Sequence, residues 1–219
     1  MLPLLIFDLD GTLVNSIDDL ADAVNNSLGL MGHPIHDVEK YNYFVGDGVL
    51  ELCQRALPMD YATEDNIATL HKLFNEYYEK NYMVNTKAYE GIMLLLNTLK
   101  SAGIKLAVAS NKTHEFTVKI IEDTFGRDLF DVVLGSKDNV KKKPSPEILN
   151  IIINKIGVNK EKTFMVGDTN IDILTAKNAG ISSIGCLWGF RTREELEKAG
   201  ADYIATDPME ILEIIKKEL

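Results

Sequence analysis

The chain alternates short, largely apolar runs with segments that have helical periodicity. Residues 4–7 are consecutively apolar, and helical patterns separate most of the later apolar runs. Those later runs lie at 105–110, 131–134, 163–166, 183–187 and 203–205. Apolar residues at consecutive positions indicate strands that are covered on both faces, as in the interior of a parallel sheet. The alternation predicts repeated strand-helix units and therefore an α/β fold with a parallel sheet at its core.

Residues 16–87 have a different pattern, with helical periodicity and no convincing buried strand. Two apolar stripes at helical spacing are interpreted as packing surfaces between helices. The stripes are Ile17, Leu20, Ala21, Val24 and Leu28, and Ile67, Leu70, Phe74, Tyr77 and Tyr78. We therefore predict a core of residues 1–15 and 88–219 and an all-helical cap of residues 16–87. A helical block inserted after the first strand would lie over the end of that strand, which makes it a candidate lid.

Polar residues at capping spacing predict where two of the helices begin. Ser16 is followed three residues later by Asp19, and Thr192 is followed in the same way by Glu195. In a capping box, each of the two side chains accepts a hydrogen bond from the backbone N–H of the other residue. We expect helices to begin just after Ser16 and Thr192.

Composition and charge narrow the classes of function. The 219 residues carry a formal net charge of -10, and no dense Lys/Arg stripe is present, which argues against a nucleic-acid partner. No apolar run approaches the ~20 residues of a membrane span, and residues 1–7 lack the basic start of a signal peptide. Cys53 and Cys186 are far apart and are predicted to be buried, reduced thiols. We expect a soluble cytoplasmic protein, without a membrane partner, that is a monomer or a homodimer.

The first strand ends in acidic and hydroxyl side chains. Asp8, Asp10 and Thr12 follow the apolar run, and the two-residue repeat of a strand places Asp8 and Asp10 on one side. Two neighbouring carboxylates repel each other unless a cation lies close by, so the pair predicts a divalent metal. Asp8 is a candidate nucleophile for a phosphoryl group, and Asp10 is a candidate acid-base group. The alternative is a plain strand-ending turn, since Asp and Gly are common turn residues.

The ends of later strands carry further polar groups. Ser110 and Asn111 end a second buried strand, and we predict that both contact the substrate, with Ser110, like Thr12, donating a hydrogen bond to a phosphoryl oxygen. A helix cap is the alternative for this pair. Lys143 precedes Pro144 and a predicted helix, which gives its side chain a defined direction. We predict that Lys143 is catalytic, as a cation that steadies both Asp8 and the transferred phosphoryl group, and interpret Lys141 and Lys142 as surface residues.

A third strand end adds two more acids. Asp168 lies at the end of the run 163–166, and Asp172 lies four positions further along, one helical turn away. Together with Asp8 they form a set of oxygen ligands that suits Mg²⁺. Acidic residues that stabilise a helix N-terminus are the alternative explanation.

Taken together, these groups resemble the four motifs of haloacid dehalogenase-like hydrolases in order and spacing, over essentially the whole chain. The groups are Asp8, Asp10 and Thr12; Ser110 and Asn111; Lys143 with Pro144; and Asp168 with Asp172. The resemblance implies a Rossmann-like core and an aspartyl-phosphate intermediate on Asp8. It also implies Mg²⁺ bound by Asp8, the backbone carbonyl of Asp10 and Asp168, with Asp172 supporting the metal or its waters.

Within that family the chain resembles phosphoglycolate phosphatases most. The resemblance lies in segments 10–16, 44–48 leading to Arg55, 188–189, 193–196 and 200–203, although Asn15 stands where Asp is often found. It implies a small phosphorylated metabolite as substrate, with 2-phosphoglycolate as the first candidate. Gly46 would lie in a loop that faces the site. Arg55 would pair with a substrate carboxylate, or alternatively lie on a solvated helix face.

Other functions of the same fold remain open. They are a pyrophosphatase, a nucleotide or sugar-phosphate phosphatase, and a phosphosugar mutase, all of which would share the core residues and differ in the cap. A phosphate-binding protein without turnover is a further alternative, but the presence of both Asp8 and Asp10 argues against it. Asp10 is not needed for attack on a carbon-halogen bond, which argues against a dehalogenase.

Overall fold

The structure is a computed structural model that describes residues 3–218. Its helices and strands alternate along most of the chain. The strands are β1 (Leu4–Phe7), β2 (Val14–Asn15), β3 (Lys87–Ala88), β4 (Lys105–Thr113), β5 (Val132–Ser136), β6 (Thr163–Gly167), β7 (Ser182–Cys186) and β8 (Tyr203–Ala205). The helices are α1 (Ile17–Leu30), α2 (Val38–Phe44), α3 (Val49–Ala56), α4 (Glu64–Asn81), α5 (Ile92–Ser101), α6 (His114–Phe125), α7 (Glu147–Ile156), α8 (Asn170–Ala179), α9 (Arg193–Ala199) and α10 (Glu210–Glu218). Among residues 3–218, no helix has the length and apolar character needed to cross a membrane.

Six of the strands form one parallel sheet in the order β5-β4-β1-β6-β7-β8. From β1 the chain builds the sheet first toward β4 and β5, and then returns to the other side of β1 for β6, β7 and β8. In such sheets, ligands bind beyond the carboxyl ends of the strands at the point where the strand order reverses. The carboxyl ends of β4, β1 and β6 meet at that point.

Burial on both faces explains why β1 consists only of apolar residues. All four of its side chains are fully buried, with Leu5 in register with Leu106 on β4 and Phe164 on β6. Leu4 and Ile6 belong to a core cluster that also includes buried side chains of α7 and α8. The alternating residues Leu5 and Phe7 point to the opposite face of the sheet, where they are equally buried.

The predicted α/β class, parallel core sheet and strand positions are confirmed, with differences at the ends of strands. The run predicted to end at residue 110 continues as β4 to Thr113, and its pairing with β5 shifts register between Ala109 and Thr113. Irregularities of this kind redirect side chains and often lie beside functional sites. Strands β2 and β3 were not predicted, because two-residue strands are too short to show an alternating pattern.

The chain divides into two compact units. Asn15–Lys87 forms one unit, and the described residues before and after this segment form the other. Within Asn15–Lys87, α1 packs against α2 and α4, and α3 packs against α4. Leu70, Phe74 and Tyr78 of the predicted α4 stripe are buried, and the rings of Phe74 and Tyr78 stack with centroids 5.0 Å apart. The interpretation of this unit as a lid stays a prediction.

One of the two predicted capping boxes is wrong. Ser16 occupies the N-cap position of α1 but makes no side-chain capping bond there, and Asp19 is used elsewhere. The buried Asp19 carboxylate accepts hydrogen bonds from the backbone N–H of Asn85 (2.9 Å) and Thr86 (2.8 Å) and from the Thr86 hydroxyl (2.7 Å). Asp19 therefore joins the first and last segments of the Asn15–Lys87 unit. The predicted capping box at α9 is confirmed.

We expect Asp19→Ala to lower the free energy of unfolding by about 2–4 kcal/mol, because it leaves buried N–H and O–H donors without an acceptor. Asp18→Ala is the matched control, since Asp18 lies on the same helical turn but is exposed. Its loss should stay below about 1 kcal/mol, the range of a helix-dipole effect. Equal losses in urea denaturation of the two variants would contradict this role of Asp19.

Candidate active site

Asp8 lies at the carboxyl end of β1, and the protein holds one of its two carboxylate oxygens. Its backbone N–H donates to the carbonyl of Val166 on β6 (2.9 Å), and its Oδ1 accepts a hydrogen bond from the backbone N–H of Leu9 (2.7 Å). Oδ1 is also 2.8 Å from Nζ of Lys143. No residue between 3 and 218 donates a hydrogen bond to Oδ2. The side chain retains 11 % of its exposure, so one carboxylate oxygen is fixed and the other is open to a ligand.

Lys143 lies at the centre of the site with a side chain that is 1 % exposed. Its Nζ contacts Oδ1 of Asp8 at 2.8 Å, Oδ1 of Asp172 at 2.7 Å and the carbonyl oxygen of Ala109 at 3.0 Å. An ammonium group has three N–H donors, and each has a partner here. Of the lysines at positions 141–143, Lys143 is the one whose side chain is buried in the site, whereas Lys141 is exposed and Lys142 is half-buried.

Asn111 anchors the backbone of Lys143. The Asn111 side chain accepts a hydrogen bond from the Lys143 backbone N–H (2.8 Å) and donates one to the Lys143 carbonyl (3.1 Å). A side-chain amide can make both bonds at once because it carries a donor and an acceptor. The structure thus gives Asn111 two hydrogen bonds to Lys143 within the protein, and the predicted contact of Asn111 with substrate stays a prediction.

Asp168 is fully buried at the end of β6, and both its oxygens have partners. Oδ1 accepts a hydrogen bond from the hydroxyl of Thr12 (3.0 Å), and Oδ2 accepts one from the backbone N–H of Phe190 (2.9 Å). Thr12 is fully buried, and its hydroxyl orients Asp168. The predicted hydrogen bond from Thr12 to a phosphoryl oxygen stays a prediction. Gly11, with φ +83°, passes so close that a Cβ would lie 2.3 Å from the Asp168 carboxylate.

Asp172 serves two purposes with its two oxygens. Oδ1 faces Lys143, while Oδ2 accepts hydrogen bonds from the backbone N–H (3.1 Å) and hydroxyl (2.7 Å) of Thr169 at the start of α8. The capping role that the sequence offered as an alternative is thus present, Oδ1 faces the site through Lys143, and the predicted metal role of Asp172 stays a prediction. A Cβ on Gly167 would lie 2.2 Å from the Asp172 Cβ, so this close approach requires glycine.

Asp8, Asp168 and Asp172 form a buried acidic cluster in which one carboxylate oxygen of each lies within 4.8 Å of the others. Burial and repulsion by Asp172 raise the pKa of Asp8 to about 8, although Lys143 pulls it down. Burial and Asp172 likewise raise the pKa of Asp168 to about 7. Burial would lower the pKa of Lys143, but Asp172 and Asp8 raise it above its usual value, so the lysine stays charged.

The charge balance of this cluster fits a divalent cation. Three buried carboxylates face a single buried ammonium group. Buried charges without compensation are strongly unfavourable, and a hard cation with oxygen ligands compensates them. The acidic cluster could therefore hold a metal ion.

Ser110 and Lys112 lie in the irregular part of β4 beside the cluster. Ser110 is buried, and its Oγ accepts a hydrogen bond from the Lys112 backbone N–H (3.2 Å). Nζ of Lys112 lies 3.2 Å from both carboxylate oxygens of Asp10. Sequence reasoning missed Lys112, although the two-residue alternation of a strand that continued past Ser110 would have placed the two side chains together.

Gly46 and Arg55 belong to the Asn15–Lys87 unit. Gly46 adopts φ +134° in the loop after α2. Arg55 on α3 donates to the carbonyl of Phe44 (2.9 Å) and forms an ion pair with Asp47, and its side chain is 38 % exposed. These contacts tie the loop to α3. The substrate contacts predicted for Gly46 and Arg55 stay predictions.

Comparisons with known proteins agree with this geometry. The model of the haloacid dehalogenase-like hydrolase family matches residues 5–186. A phosphoglycolate phosphatase of Vibrio parahaemolyticus is 34 % identical over 217 residues, which cover 97 % of this chain and 95 % of the relative. One from Aquifex aeolicus is 32 % identical and covers 98 % of this chain and 97 % of its own.

Solved structures show the same fold. A crystal structure from Lactobacillus delbrueckii subsp. bulgaricus, provisionally assigned as a phosphoglycolate phosphatase, superposes with a TM-score of 0.92 at 30 % identity, over 97 % of this chain and 98 % of that one. CbbY from Rhodobacter sphaeroides, crystallised with phosphate, has a TM-score of 0.80 at 26 % identity, with 96 % of each chain covered. The predicted family and the predicted assignment to hydrolases are confirmed: this chain belongs to the haloacid dehalogenase-like hydrolase family.

Proposed function

We propose that this enzyme is a Mg²⁺-dependent phosphatase that hydrolyses a small phosphomonoester through an aspartyl-phosphate on Asp8, with 2-phosphoglycolate as the first candidate substrate. The observation that carries the proposal is the asymmetry of the Asp8 carboxylate. Its Oδ1 is held by Lys143 and by the Leu9 amide, and its Oδ2 has no donor among residues 3–218. A carboxylate fixed in this way is prepared to attack with one oxygen.

The chemistry takes two steps. In the first, Oδ2 of Asp8 forms a bond to phosphorus, the ester P–O bond breaks, and a proton from Asp10 passes to the leaving oxygen. In the second, a water oxygen bonds to phosphorus while Asp10 takes the proton from that water. The bond between phosphorus and Asp8 then breaks, which releases phosphate and restores the carboxylate. Asp10 is suited to both roles because it is adjacent to Asp8 but distinct from it.

Cations and donors around Asp8 would offset the charge of the phosphoryl group. Lys143 contacts Asp8 and keeps its charge, so it can stabilise the transferring group as well as orient the nucleophile. Ser110 Oγ accepts one hydrogen bond from Lys112 and so retains its O–H to donate to a phosphoryl oxygen. Thr12 and Asn111 act indirectly, because the Thr12 hydroxyl holds Asp168 and the Asn111 side chain holds the backbone of Lys143.

The acidic cluster would hold the metal. Asp8, Asp168 and the backbone carbonyl of Asp10 are the proposed ligands. Oδ1 of Asp172 is paired with the ammonium group of Lys143 and its Oδ2 accepts two hydrogen bonds from Thr169, whereas each oxygen of Asp168 has one uncharged donor. Asp172 is therefore better suited to support the metal site than to bind the metal directly. When bound, Mg²⁺ would neutralise the charge of the acids and of the substrate phosphate, and so allow the anion to approach a chain of net charge -10.

Two candidate substrate classes follow from the relatives. The curated relatives named phosphoglycolate phosphatase favour 2-phosphoglycolate, and Arg55 is the residue that would pair with its carboxylate. A sugar phosphate is the second candidate, because the structurally similar CbbY was crystallised with xylulose-(1,5)-bisphosphate.

Cys53 and Cys186 are buried free thiols, which supports our proposal of action in a reducing cytoplasm.

Phosphate release from a panel of phosphoesters tests the proposed reaction. With Mg²⁺, we expect 2-phosphoglycolate to be hydrolysed faster than pyrophosphate, nucleoside monophosphates and sugar phosphates. Asp8→Asn should lower turnover by at least about 10³-fold, because it removes the nucleophile. Near-normal turnover of Asp8→Asn would contradict the mechanism, whereas a preference for a different ester would contradict only the substrate.

Lys143→Ala should lower kcat by about 10²-fold or more, the loss typical of a preorganised charged donor. Lys141→Ala is the matched control, since Lys141 is an exposed lysine of the same run. Circular dichroism of both variants establishes that they are folded before their rates are compared. If the two variants lost activity equally, the assignment of Lys143 would be wrong.

The raised pKa of Asp8 predicts how stability depends on pH and Mg²⁺. Without a divalent cation, the folded chain keeps a proton on Asp8 up to about pH 8, whereas an unfolded chain releases it near 3.8. Between these values, stability falls as pH rises, by at most about 1.4 kcal/mol per pH unit for one group. We expect melts in EDTA to lose stability with pH more steeply for wild type than for Asp8→Asn. Mg²⁺ should raise the wild-type Tm more near pH 8 than near pH 5, and a pH-independent rise would contradict the prediction.

A further inference from the structure

We propose that Lys112 is a positioning residue, which holds the Asp10 carboxyl group where it can exchange a proton with the leaving oxygen and with water. This inference rests on the proposed function, since it assigns a role within the proposed reaction. It concerns a residue that lies outside the four groups of predicted catalytic residues.

The contact between the two side chains is close and shielded from solvent. Nζ of Lys112 is 3.2 Å from Oδ1 and 3.2 Å from Oδ2 of Asp10. The two side chains are 8 % and 12 % exposed. Exposed ion pairs are screened and exchange partners easily, but a pair shielded to this degree restricts the movement of both groups. A cation placed between both oxygens also limits rotation of the carboxylate away from it.

The backbone of Lys112 is itself fixed. Its N–H donates to Oγ of Ser110 (3.2 Å), and its carbonyl accepts a hydrogen bond from the hydroxyl of Thr117 on α6 (3.2 Å). Thr117 is fully buried, and its hydroxyl also lies 2.9 Å from the carbonyl of Thr113. The backbone of Lys112 is therefore ordered, although this part of β4 is irregular. A fixed backbone limits the directions in which the side chain can extend toward Asp10.

The two proposed catalytic acids thus have separate lysines. Lys143 contacts Asp8 through Oδ1 alone, which leaves the other oxygen open for attack. Lys112 contacts both oxygens of Asp10, which orients the whole carboxyl group and leaves Asp8 to Lys143. General acid-base catalysis contributes about 10²–10⁴-fold and depends on the position of the proton donor. Loss of Lys112 should therefore impair proton transfer by Asp10, to the leaving oxygen and from water, and leave the attack of Asp8 on phosphorus unchanged.

Leaving groups that differ in their need for a proton separate these two effects. An alkoxide must be protonated as it leaves, whereas p-nitrophenolate leaves as a stable anion. The second step, in which Asp10 takes the proton from water, is the same for both substrates, so only the first step separates them. We therefore measure release of the leaving group in a single turnover, for wild type and Lys112→Met, on 2-phosphoglycolate and on p-nitrophenyl phosphate with Mg²⁺. We expect the single-turnover rate on 2-phosphoglycolate to fall by about 10²-fold and the rate on p-nitrophenyl phosphate by less than about 3-fold, with the half-saturating substrate concentration nearly unchanged.

Two further variants sharpen the comparison. Lys112→Arg should restore part of the lost rate on 2-phosphoglycolate, because a guanidinium group can still pair with the carboxylate. Lys141→Met removes an exposed lysine and should behave as wild type on both substrates. An equal loss of the single-turnover rate on both substrates, or a loss expressed only in the half-saturating substrate concentration, would overturn the inference while leaving the proposed phosphatase intact.

A measurement that does not depend on turnover completes the test. Crystal structures of wild type and Lys112→Met should show an ordered Asp10 carboxyl group in the first and a rotated or disordered one in the second. An unchanged Asp10 would overturn the inference whatever the activities. Absence of turnover by wild type on every phosphomonoester would overturn the proposed function, and the crystallographic comparison would still decide whether Lys112 positions Asp10.

Discussion

The buried ammonium group of Lys143 is the interaction on which the rest of the site depends. Burying a charge is unfavourable unless all its hydrogen-bonding groups are satisfied, and Lys143 meets this condition with Asp8, Asp172 and the Ala109 carbonyl. Removal of either carboxylate would leave one N–H of this buried ammonium group without an acceptor. Asn111 holds the Lys143 backbone with two hydrogen bonds, which fixes the point from which the side chain extends to Asp8 and Asp172.

The topology of the sheet explains why these residues meet at all. β1 lies at the reversal of strand order, between β4 and β6. The carboxyl ends of these three strands deliver Asp8, Ser110 and Asp168 to one edge, although the residues are far apart in sequence. Parallel pairing and burial on both faces keep that edge rigid, and a rigid edge is what positioning at the sub-ångström level requires.

The site combines excess negative charge with strict control of each acid. Thr12 and the Phe190 amide hold Asp168, Thr169 and Lys143 hold Asp172, and Lys112 holds Asp10. Burial, together with the like charges that these contacts keep close to one another, raises the pKa of Asp8 and of Asp168. Such a cluster is unfavourable in isolation and becomes favourable when a cation and a phosphoryl group are added, which matches the proposed chemistry.

The sequence by itself determined the strands, the parallel α/β class and the acids at the strand ends, because apolar runs and strand-end carboxylates are local patterns. It also singled out Lys143 and predicted the family, which the comparisons confirmed. Only the tertiary structure decided which groups these and other polar side chains contact. Thr12 orients Asp168, Asp19 joins residues 85–86, and Lys112 reaches Asp10. These contacts join residues up to 156 positions apart, and hydrogen bonds over such separations leave no periodic trace along the chain.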